Sequence, residues 1–575
     1  MNQHAVPRFE SRGLSEDLVV LLHAYTTSPE KLRSVREAVA GEMPDADLLV
    51  PTLPAGRFSM ADPVRLAIDL CHEIDELWSC RKLGRGEGYR QIILVGHSLG
   101  GLLARKIYVY ACGENEDAPF ENGAPREPKE WVRCVDRIVL FAAMNRGWTI
   151  SHHMSFIQAI AWRVGAAIGN LLMLIRRRPP LIFTIRKGGR FISQLRIHWL
   201  SMVRTAPAKG VGNVLTVQML GLGDDLVAPE DNIDLLTGRG FVYLDVPHSN
   251  HATVVDLADP TAGPERRRIF LLALLGNRQE LDESKVLPAD IEPQPPRPEV
   301  TDVVFVVHGI RDRGFWTQKI ARRVKALGRK KGKIYATESS TYGYLAMFPF
   351  LLASTRRAKV EWLIDRYTEN LALYPNADFS FVGHSNGTYL LAKALDEYPA
   401  CRFKNVVFAG SVVRTDYDWN EKIRTSRVQA VLNYVASADW IVAFFPKALQ
   451  ILGLQDLGSA GHDGFAVAAG APAVRQVQFV RGGHGAALQE ENWNGIAQFI
   501  IDPDDMEAAP QKIVAPARSP LVVLPGFAAP VLWLIIAGLL IWIGNVLLSS
   551  SWTEWQKTVS LVLYLWGIWK VGTCT

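Results

Sequence analysis

The pentapeptide Gly96-His97-Ser98-Leu99-Gly100 returns almost unchanged as Gly383-His384-Ser385-Asn386-Gly387 in a chain of 575 residues. Each copy follows a short apolar run of strand character and precedes leucines at helical spacing. A serine at the tip of such a strand-to-helix turn has a strained backbone, and the positions two before and two after it must be small to avoid collision. Both copies therefore predict a serine held at a sharp turn.

A second pair of matching segments lies upstream of the two serines. His23-Ala24-Tyr25 follows the apolar run 18–22, and His308-Gly309-Ile310 follows the apolar run 303–307. The interval from His23 to Ser98 is 75 residues, and that from His308 to Ser385 is 77 residues. Two motifs that keep the same spacing over most of a domain indicate an internal repeat.

These motifs resemble those of the α/β-hydrolase superfamily over two stretches, roughly residues 16–280 and 300–501. The resemblance implies the α/β class, with two tandem domains that each contain a mostly parallel sheet flanked by helices. It also implies that two backbone amides in each domain face a developing oxyanion. The residues that match are Leu99 with Tyr25 or Ala24 in the first half, and Asn386 with Ile310 in the second.

A serine hydroxyl becomes a nucleophile when an imidazole takes its proton, and a carboxylate orients that imidazole. In the superfamily that this chain resembles, the chain order is serine, acid, histidine. For Ser98, the family's Asp-x-x-Val turn favours Asp224, with Asp225 as the reserve. His251 is favoured over His248 because it opens a helix-like stretch, although a shift of one strand would exchange the two.

The second half offers the same order. Asp439 lies in a second acid-x-x-Val pattern, and His484 follows a strand-like run. With Ser385 they complete a second expected triad. His462 competes with His484 for the role of base, but no strand-like run precedes it.

Two more histidines stand directly before the serines. His97 and His384 invite a base assignment because of that position. A side chain one residue earlier in a strand points to the other face, however. We therefore interpret both as packing residues.

Length and composition indicate two domains with a linker between them. A chain of 575 residues is too long for one core, and five prolines between 283 and 299 predict an extended linker. The predicted parts are domain 1–282, linker 283–299, domain 300–501, linker 502–527 and membrane anchor 528–572.

The net charge of +5 is modest, and no basic stripe interleaved with aromatic residues suggests nucleic-acid binding. The six cysteines are scattered, so we expect neither a metal site nor a disulfide framework.

The C-terminal segment predicts attachment to a membrane. No charged residue occurs between Ser519 and Thr553, and about 20 apolar residues span a bilayer as a helix. A second apolar run extends from Val559 to Trp569. The C-terminal segment could therefore cross the membrane once or form a hairpin of two helices. The N-terminus lacks the apolar core of a signal peptide. Lys512 and Arg518 before the first span favour hydrolase domains on the cytoplasmic side.

The first half carries an extra segment. Ser98 and Asp224 are 126 residues apart, whereas Ser385 and Asp439 are 54 apart, an excess of 72. The insertion falls near 148–210, where related hydrolases hold a lid. It contains an apolar run and a set of basic residues, which are Phe156–Ile175, Arg176–Arg178, Arg186, Lys187, Arg190 and Arg196. This segment could form a buried cap helix or a lid that contacts anionic lipid headgroups. A single crossing of the bilayer would place Ser98 and Asp224 on opposite sides of the membrane and so destroy the first triad.

The resemblance thus implies a serine hydrolase that cleaves carboxylic esters through an acyl-enzyme, without a metal or an organic cofactor, and the C-terminal apolar run predicts that it is anchored to a membrane. Its expected substrates are apolar esters, including acyl lipids. An acyltransferase or amidase with the same triad is one alternative. A membrane-tethered binding or regulatory protein with one inactive domain is the other, because fold does not fix function. The sequence does not assign an oligomeric state.

Overall fold

The computed structural model describes residues 8–13, 15–113, 127–148, 179–223, 240–284, 295–310, 314–343, 350–466, 472–506 and 513–573. The chain divides into two compact units, residues 1–295 and 296–575. The division falls inside the predicted linker 283–299, most of which lies outside the described residues.

The first unit contains a sheet of seven described strands in the order β1-β3-β2-β4-β5-β6-β7. Only the β1–β3 pair is antiparallel among them. The strands are β1 Phe9–Glu10, β2 Asp17–Leu22, β3 Asp47–Leu49, β4 Gln91–His97, β5 Val135–Phe141, β6 Leu215–Gly221 and β7 Phe241–Val246. The described helices are α1 Arg33–Glu42, α2 Pro63–Arg85, α3 Leu99–Ala111, α4 Leu181–Thr184, α5 Arg190–Thr205, α6 Gly263–Leu275 and α7 Arg278–Ser284.

The central strands of this unit are apolar on both faces. Ile92 and Leu94 of β4 pack into one hydrophobic cluster, whereas Ile93 and Val95 pack into another on the opposite face. Alternate residues of a strand point to opposite faces, so a continuous apolar run requires helices on both sides. The predicted α/β class is confirmed.

The second unit contains a sheet of six described strands, all parallel, in the order β13-β12-β11-β10-β8-β9. The strands are β8 Asp302–Val307, β9 Tyr335–Glu338, β10 Asp378–His384, β11 Phe403–Ala409, β12 Val428–Ala436 and β13 Val474–Val480. The described helices of the globular part are α8 Phe315–Lys330, α9 Ala353–Leu373, α10 Asn386–Glu397, α11 Trp419–Arg424, α12 Trp440–Phe444, α13 Pro446–Leu452, α14 Ala460–Asp463 and α15 Glu490–Ile501.

Two helices follow at the C-terminus, α16 Pro520–Ser549 and α17 Glu554–Thr573. By length and composition, α16 is the one helix of the described chain that is long and apolar enough to cross a membrane. It begins at Pro520, eight residues before the predicted anchor at 528. The Tyr564 hydroxyl of α17 donates a hydrogen bond of 2.7 Å to the Leu540 oxygen of α16.

The insertion at 148–210 is described only in part. Its apolar run at 156–175 and the arginines at 176–178 lie outside the described residues. The described helix α5 packs Phe191, Ile192 and Leu195 into the core cluster that also holds α3. Arg196 is buried in that helix with 2% exposure, so it does not reach a lipid headgroup.

Candidate functional site

Ser98 stands at a sharp turn between β4 and α3. Its φ of 53° and ψ of −113° lie in a region that a side chain strains to occupy. The Ser98 amide donates to Phe141 O at 2.9 Å, and the Gly101 amide donates to Ser98 O at 3.1 Å. Hydrogen bonds on both sides of the serine therefore hold the strained conformation in place.

The flanking glycines are required by close backbone contacts. A Cβ on Gly96 would lie 2.4 Å from the backbone of Gly100, and a Cβ on Gly100 would lie 2.1 Å from Leu22 O. Both distances are far shorter than carbon atoms tolerate. The packing of the turn against the end of β2 thus explains the small residues two before and two after Ser98.

Ser385 has the same local geometry in the second unit, between β10 and α10. Its φ is 51° and its ψ is −118°. Its amide donates to Ala409 O at 3.0 Å, and the Thr388 amide donates to Ser385 O at 2.9 Å. A Cβ on Gly387 would lie 2.5 Å from Val307 O. Each unit thus contains one serine turn.

The structure brings His251 to Ser98. His251 Nε2 lies 2.9 Å from Ser98 Oγ, and both side chains are buried. His248, the alternative from the sequence, is exposed and has a φ of 51°. The contact places an imidazole nitrogen at the distance from a hydroxyl oxygen that general-base catalysis requires. The candidate acids Asp224 and Asp225 lie outside the described residues.

Two further side chains hold the His251 loop. His97 Nε2 donates to the His251 backbone oxygen at 2.8 Å. Arg266 of α6 donates to the oxygens of Thr253 and Asp256, both at 3.1 Å, and to that of His248. His97 therefore does more than pack, and Arg266 is a functional candidate that the sequence reading missed.

Asp439 and His484 meet in the second unit. Asp439 Oδ2 accepts a hydrogen bond of 2.9 Å from His484 Nδ1, and Oδ1 accepts one of 3.0 Å from the Val442 amide. Burial alone would raise the pKa of Asp439, but the His484 ring and these hydrogen bonds outweigh burial and lower the pKa below its ordinary value. The carboxyl group is therefore ionised at neutral pH and fixes the proton of His484 on Nδ1.

The relation of Ser385 to His484 differs from that of Ser98 to His251. Within the described residues, no hydrogen bond joins Ser385 Oγ to His484. The two residues are still neighbours: a Cβ on Gly410 would lie 2.8 Å from His484 Cε1, and the preceding Ala409 accepts the Ser385 amide. The acid–histidine pair is thus formed, while the serine–histidine hydrogen bond is not.

His462 does not compete with His484 for the Asp439 carboxylate. Its ring is fully buried in α14, and neither ring nitrogen has a hydrogen-bond partner in the part of the chain that is described. Burial lowers the pKa of His462, which keeps the ring neutral. His384 packs its ring 4.8 Å from that of His484, centroid to centroid.

The four residues expected to form oxyanion sites lie at the serine turns and at the ends of β2 and β8. In the described chain, the amides of Tyr25 and Leu99 donate no hydrogen bond to the protein, and the same holds for Ile310 and Asn386. A Cβ on Gly309 would lie 2.7 Å from Ser385 Cβ, so the turn after β8 touches the serine directly. Free amides beside a serine are suited to hold a negatively charged oxygen.

The histidines that open these turns have a positioning role. His23 Nδ1 donates to Ala24 O at 2.9 Å, and His23 Nε2 accepts from the Leu53 amide at 2.9 Å. His308 makes matching contacts with Gly309 O at 2.8 Å and with Thr341 Oγ1 at 2.6 Å. Each imidazole fixes its turn against the loop after the next strand. The repeated histidine in the sequence was the signal for this role.

An open pocket of about 720 Å³ lies beside the His484 loop. Its walls include Trp316, His384, Gly485 and Trp493. Aromatic walls of this kind suit an apolar group. Among the described residues, no group of three or more His, Cys, Asp or Glu side chains is placed to hold a metal ion.

No protein-family model and no curated protein matches this chain. Solved structures do resemble it. Lipase B of Aspergillus fumigatus is 13% identical over 43% of this chain and 52% of its own, with a TM-score of 0.28. Phospholipase PlaB of Legionella pneumophila is 12% identical over 47% of this chain and 62% of its own, with a TM-score of 0.31. A soluble variant of monoglyceride lipase from Saccharomyces cerevisiae is 11% identical over 48% of this chain and 91% of its own, with a TM-score of 0.30.

This chain therefore spans about half the length of lipase B and less than two thirds of PlaB. The strand order and the two serine turns identify the fold independently of these likenesses. A strained serine at the end of a central parallel strand is the feature around which the α/β-hydrolase fold is organised, and this chain has that fold in both of its units.

Proposed function

We propose that this protein is a membrane-anchored serine hydrolase that cleaves carboxylic esters of apolar or acyl-lipid character. The observation that carries the proposal is the distance of 2.9 Å between Ser98 Oγ and His251 Nε2 at a strained serine turn. A buried serine in hydrogen-bond contact with an imidazole is the pair that nucleophilic acyl transfer requires.

The first half-reaction follows from this contact. Ser98 Oγ attacks the ester carbonyl carbon while His251 Nε2 takes the hydroxyl proton. The carbonyl oxygen becomes an oxyanion and accepts hydrogen bonds from the amides of Leu99 and Tyr25. His251 then gives the proton to the leaving alkoxide, and the alcohol departs to leave an acyl-serine.

Water completes the cycle. His251 takes a proton from the water molecule, whose oxygen attacks the acyl carbon and forms a second oxyanion. Collapse of this intermediate returns the proton to Ser98 Oγ and releases the carboxylic acid. In this proposal, Asp224 orients His251 and stabilises its charged form, and Asp225 is the reserve for that role.

For the second unit we propose Ser385 as nucleophile, His484 as base and Asp439 as the orienting acid, with Ile310 and Asn386 as amide donors. The bond between Asp439 and His484 supports this assignment. A productive His484 must still reach Ser385 Oγ, a movement that substrate binding often induces because catalytic hydrogen bonds tighten in the complex.

The missing serine–histidine bond in the second unit favours one alternative. In that alternative, the Ser385 unit binds substrate or regulates the first unit without cleaving an ester. Fold alone does not distinguish the two possibilities.

The membrane part of the proposal rests on α16, an apolar helix of 30 residues. We further propose that the two catalytic units lie on the cytoplasmic side, since Lys512 and Arg518 precede the helix. Protease protection in sealed membrane vesicles of known orientation tests this side, and protection of both units from a protease added at the cytoplasmic face would contradict it.

A fluorophosphonate probe tests the nucleophiles, because it forms a covalent bond with activated serines. We expect the wild-type protein to be labelled, Ser98→Ala to lose the label of the first unit, and the double variant Ser98→Ala/Ser385→Ala to lose all label. Ser28→Ala, a change of an exposed serine, is the control. Labelling of the double variant at the wild-type level would rule out both assignments. Full loss of label in Ser98→Ala alone would show that the second unit is inactive.

A further inference from the structure

We propose that the helix pair α12–α13 is a lipid-contacting surface that seats the second unit on the bilayer, with Asp439 directly at its start. The proposal deepens the proposed function, because it rests on α16 as a membrane helix and makes an acyl lipid of the bilayer the substrate of Ser385. The contacts between α16 and this helix pair carry the argument.

The first half of α16 is docked on α12 and α13. Gly526 and Ala529 are its two buried residues, and a Cβ on Gly526 would lie 3.3 Å from Ala443 O. The Trp533 indole donates to Phe444 O at 3.2 Å, and its ring lies 5.2 Å from that of Phe444. Small residues and one tryptophan thus fit the apolar helix tightly against α12.

The segment before α16 is fixed to the sheet edge. The Arg481 amide donates to Ile513 O, and the Ala515 amide donates to Phe479 O, both at 2.7 Å. The Ser519 amide then donates to Ser437 O at 2.8 Å, two residues before Asp439. The segment before the membrane helix is therefore held against the strand ends that carry Asp439 and the His484 loop. It does not form a free tether between the unit and the helix.

The length of α16 places the docked stretch at the bilayer. Thirty residues make a helix of about 45 Å, whereas the hydrocarbon core is about 30 Å thick. The 16 residues after Trp533 cover only about 24 Å of that core. The turns around Trp533 must therefore reach the hydrocarbon boundary, where tryptophan is favoured. Phe444, which contacts Trp533, lies at the same depth.

The outer surface of the docked stretch is apolar. On α16, Leu521, Leu524 and Phe527 are 85%, 71% and 68% exposed. The helix pair adds exposed apolar side chains at both ends, with Trp440 at the start of α12 and Ile451, Leu452 and Leu454 at the end of α13. A patch of this kind that continues from a membrane helix fits a lipid surface.

The surface is continuous with the proposed second site. Asp439 is the N-cap of α12, and Trp440 is the first residue of that helix. A lipid seated on α12–α13 thus meets the strand ends that carry the acid–histidine pair. In the proposed route, an acyl chain enters the Ser385 site from the bilayer along α12.

Photo-crosslinking tests the surface without reference to activity. A benzophenone amino acid is placed at position 451 or 454 of the full-length protein in phosphatidylcholine vesicles. The control is position 334, because Ile334 is similarly exposed but precedes β9 at the opposite, amino edge of the sheet. We expect lipid adducts at 451 and 454 but not at 334. Absence of adducts at both positions in the reconstituted protein would overturn the proposal.

Kinetics then test the route of the substrate. In a Ser98→Ala background, we compare Ile451→Glu/Leu454→Glu with Ile334→Glu on a fluorogenic diacylglycerol in vesicles and on soluble p-nitrophenyl acetate. We expect the double variant to lose about tenfold in rate on the vesicle lipid and to keep its rate on the acetate. An unchanged lipid rate would contradict the route. No hydrolysis of either ester by the background protein would refute Ser385 as a nucleophile, while the crosslinks still decide the surface.

Discussion

The imidazole of His97 donates a hydrogen bond from Nε2 to the backbone oxygen of His251 at 2.8 Å. It links the end of β4, which carries Ser98, to the loop that carries the proposed base. Both histidines are buried, and their ring centroids are 5.5 Å apart. The residue before Ser98 thus holds the loop that carries His251.

Replacing His97 by leucine removes this donor to the buried backbone oxygen of His251. We expect kcat of the Ser98 site to fall about tenfold, the effect of a loss near 1.4 kcal/mol, while KM changes little. His97→Gln, which keeps an amide donor, should recover part of the rate. The measurement is steady-state hydrolysis of a soluble ester in a Ser385→Ala background. An equal loss in the leucine and glutamine variants would point to packing instead.

Arg266 supports the same loop from the other side. We expect Arg266→Met to lower kcat of the Ser98 site by about 10- to 100-fold, because three carbonyl groups around His251 lose a charged donor. Arg267→Met is the matched control on the next residue of α6, since Arg267 forms a surface ion pair with Glu42 and such pairs contribute little. Equal rates in the two variants would exclude this positioning role.

The serine turns were predictable because their requirements are local. Glycines two before and two after Ser98 are needed by contacts within the turn and with the adjacent strand. The sequence favoured His251 over His248 but left their exchange open, because the position of each ring depends on how the loop after β7 turns; in the structure, His251 Nε2 is the atom that lies 2.9 Å from Ser98 Oγ. The sequence contains only a weak indication that Arg266 is buried. It precedes Ile269, Phe270 and Ala273 at the spacing of a buried helix face. It is also one of three consecutive arginines, a run that is typical of a solvated surface.

The start of the apolar helix α16 shows what the sequence could not predict. Hydropathy placed the anchor at 528, whereas α16 begins at Pro520. The first turns contain Pro525 and dock on α12, so their helical state depends on tertiary contacts as much as on composition. The hydrogen bond between Asp439 and His484 was anticipated from chain order. The full burial of the His462 ring was not, because the burial of α14 depends on how the whole unit packs.

Gly309 tests how closely the turn after β8 approaches Ser385. A Cβ there would lie 2.7 Å from Ser385 Cβ and 3.1 Å from His384 Nδ1. We expect Gly309→Ala to lower fluorophosphonate labelling of Ser385 by at least about tenfold, because the turn and its amide must move. Gly485→Ala, where an added Cβ meets no atom within 4 Å, is the control near His484. Normal labelling of the Gly309 variant would show that the turn adapts, as the turn at Ala24 does in the first unit.

His462 makes the stability of the second unit dependent on pH. Because burial lowers its pKa, the unfolded chain takes up a proton near the ordinary histidine pKa of about 6.5, before the folded state does. Acidification below that pH therefore favours unfolding, and the loss stops only when the folded ring is also protonated. We expect His462→Leu to show a smaller fall in melting temperature between pH 7.5 and about pH 5.5 than the wild-type protein in detergent. His72→Asn, a change of an exposed histidine on α2, should leave the fall unchanged. An identical pH dependence in the wild type and His462→Leu would mean that the buried ring gains its proton in the folded state as readily as in the unfolded chain.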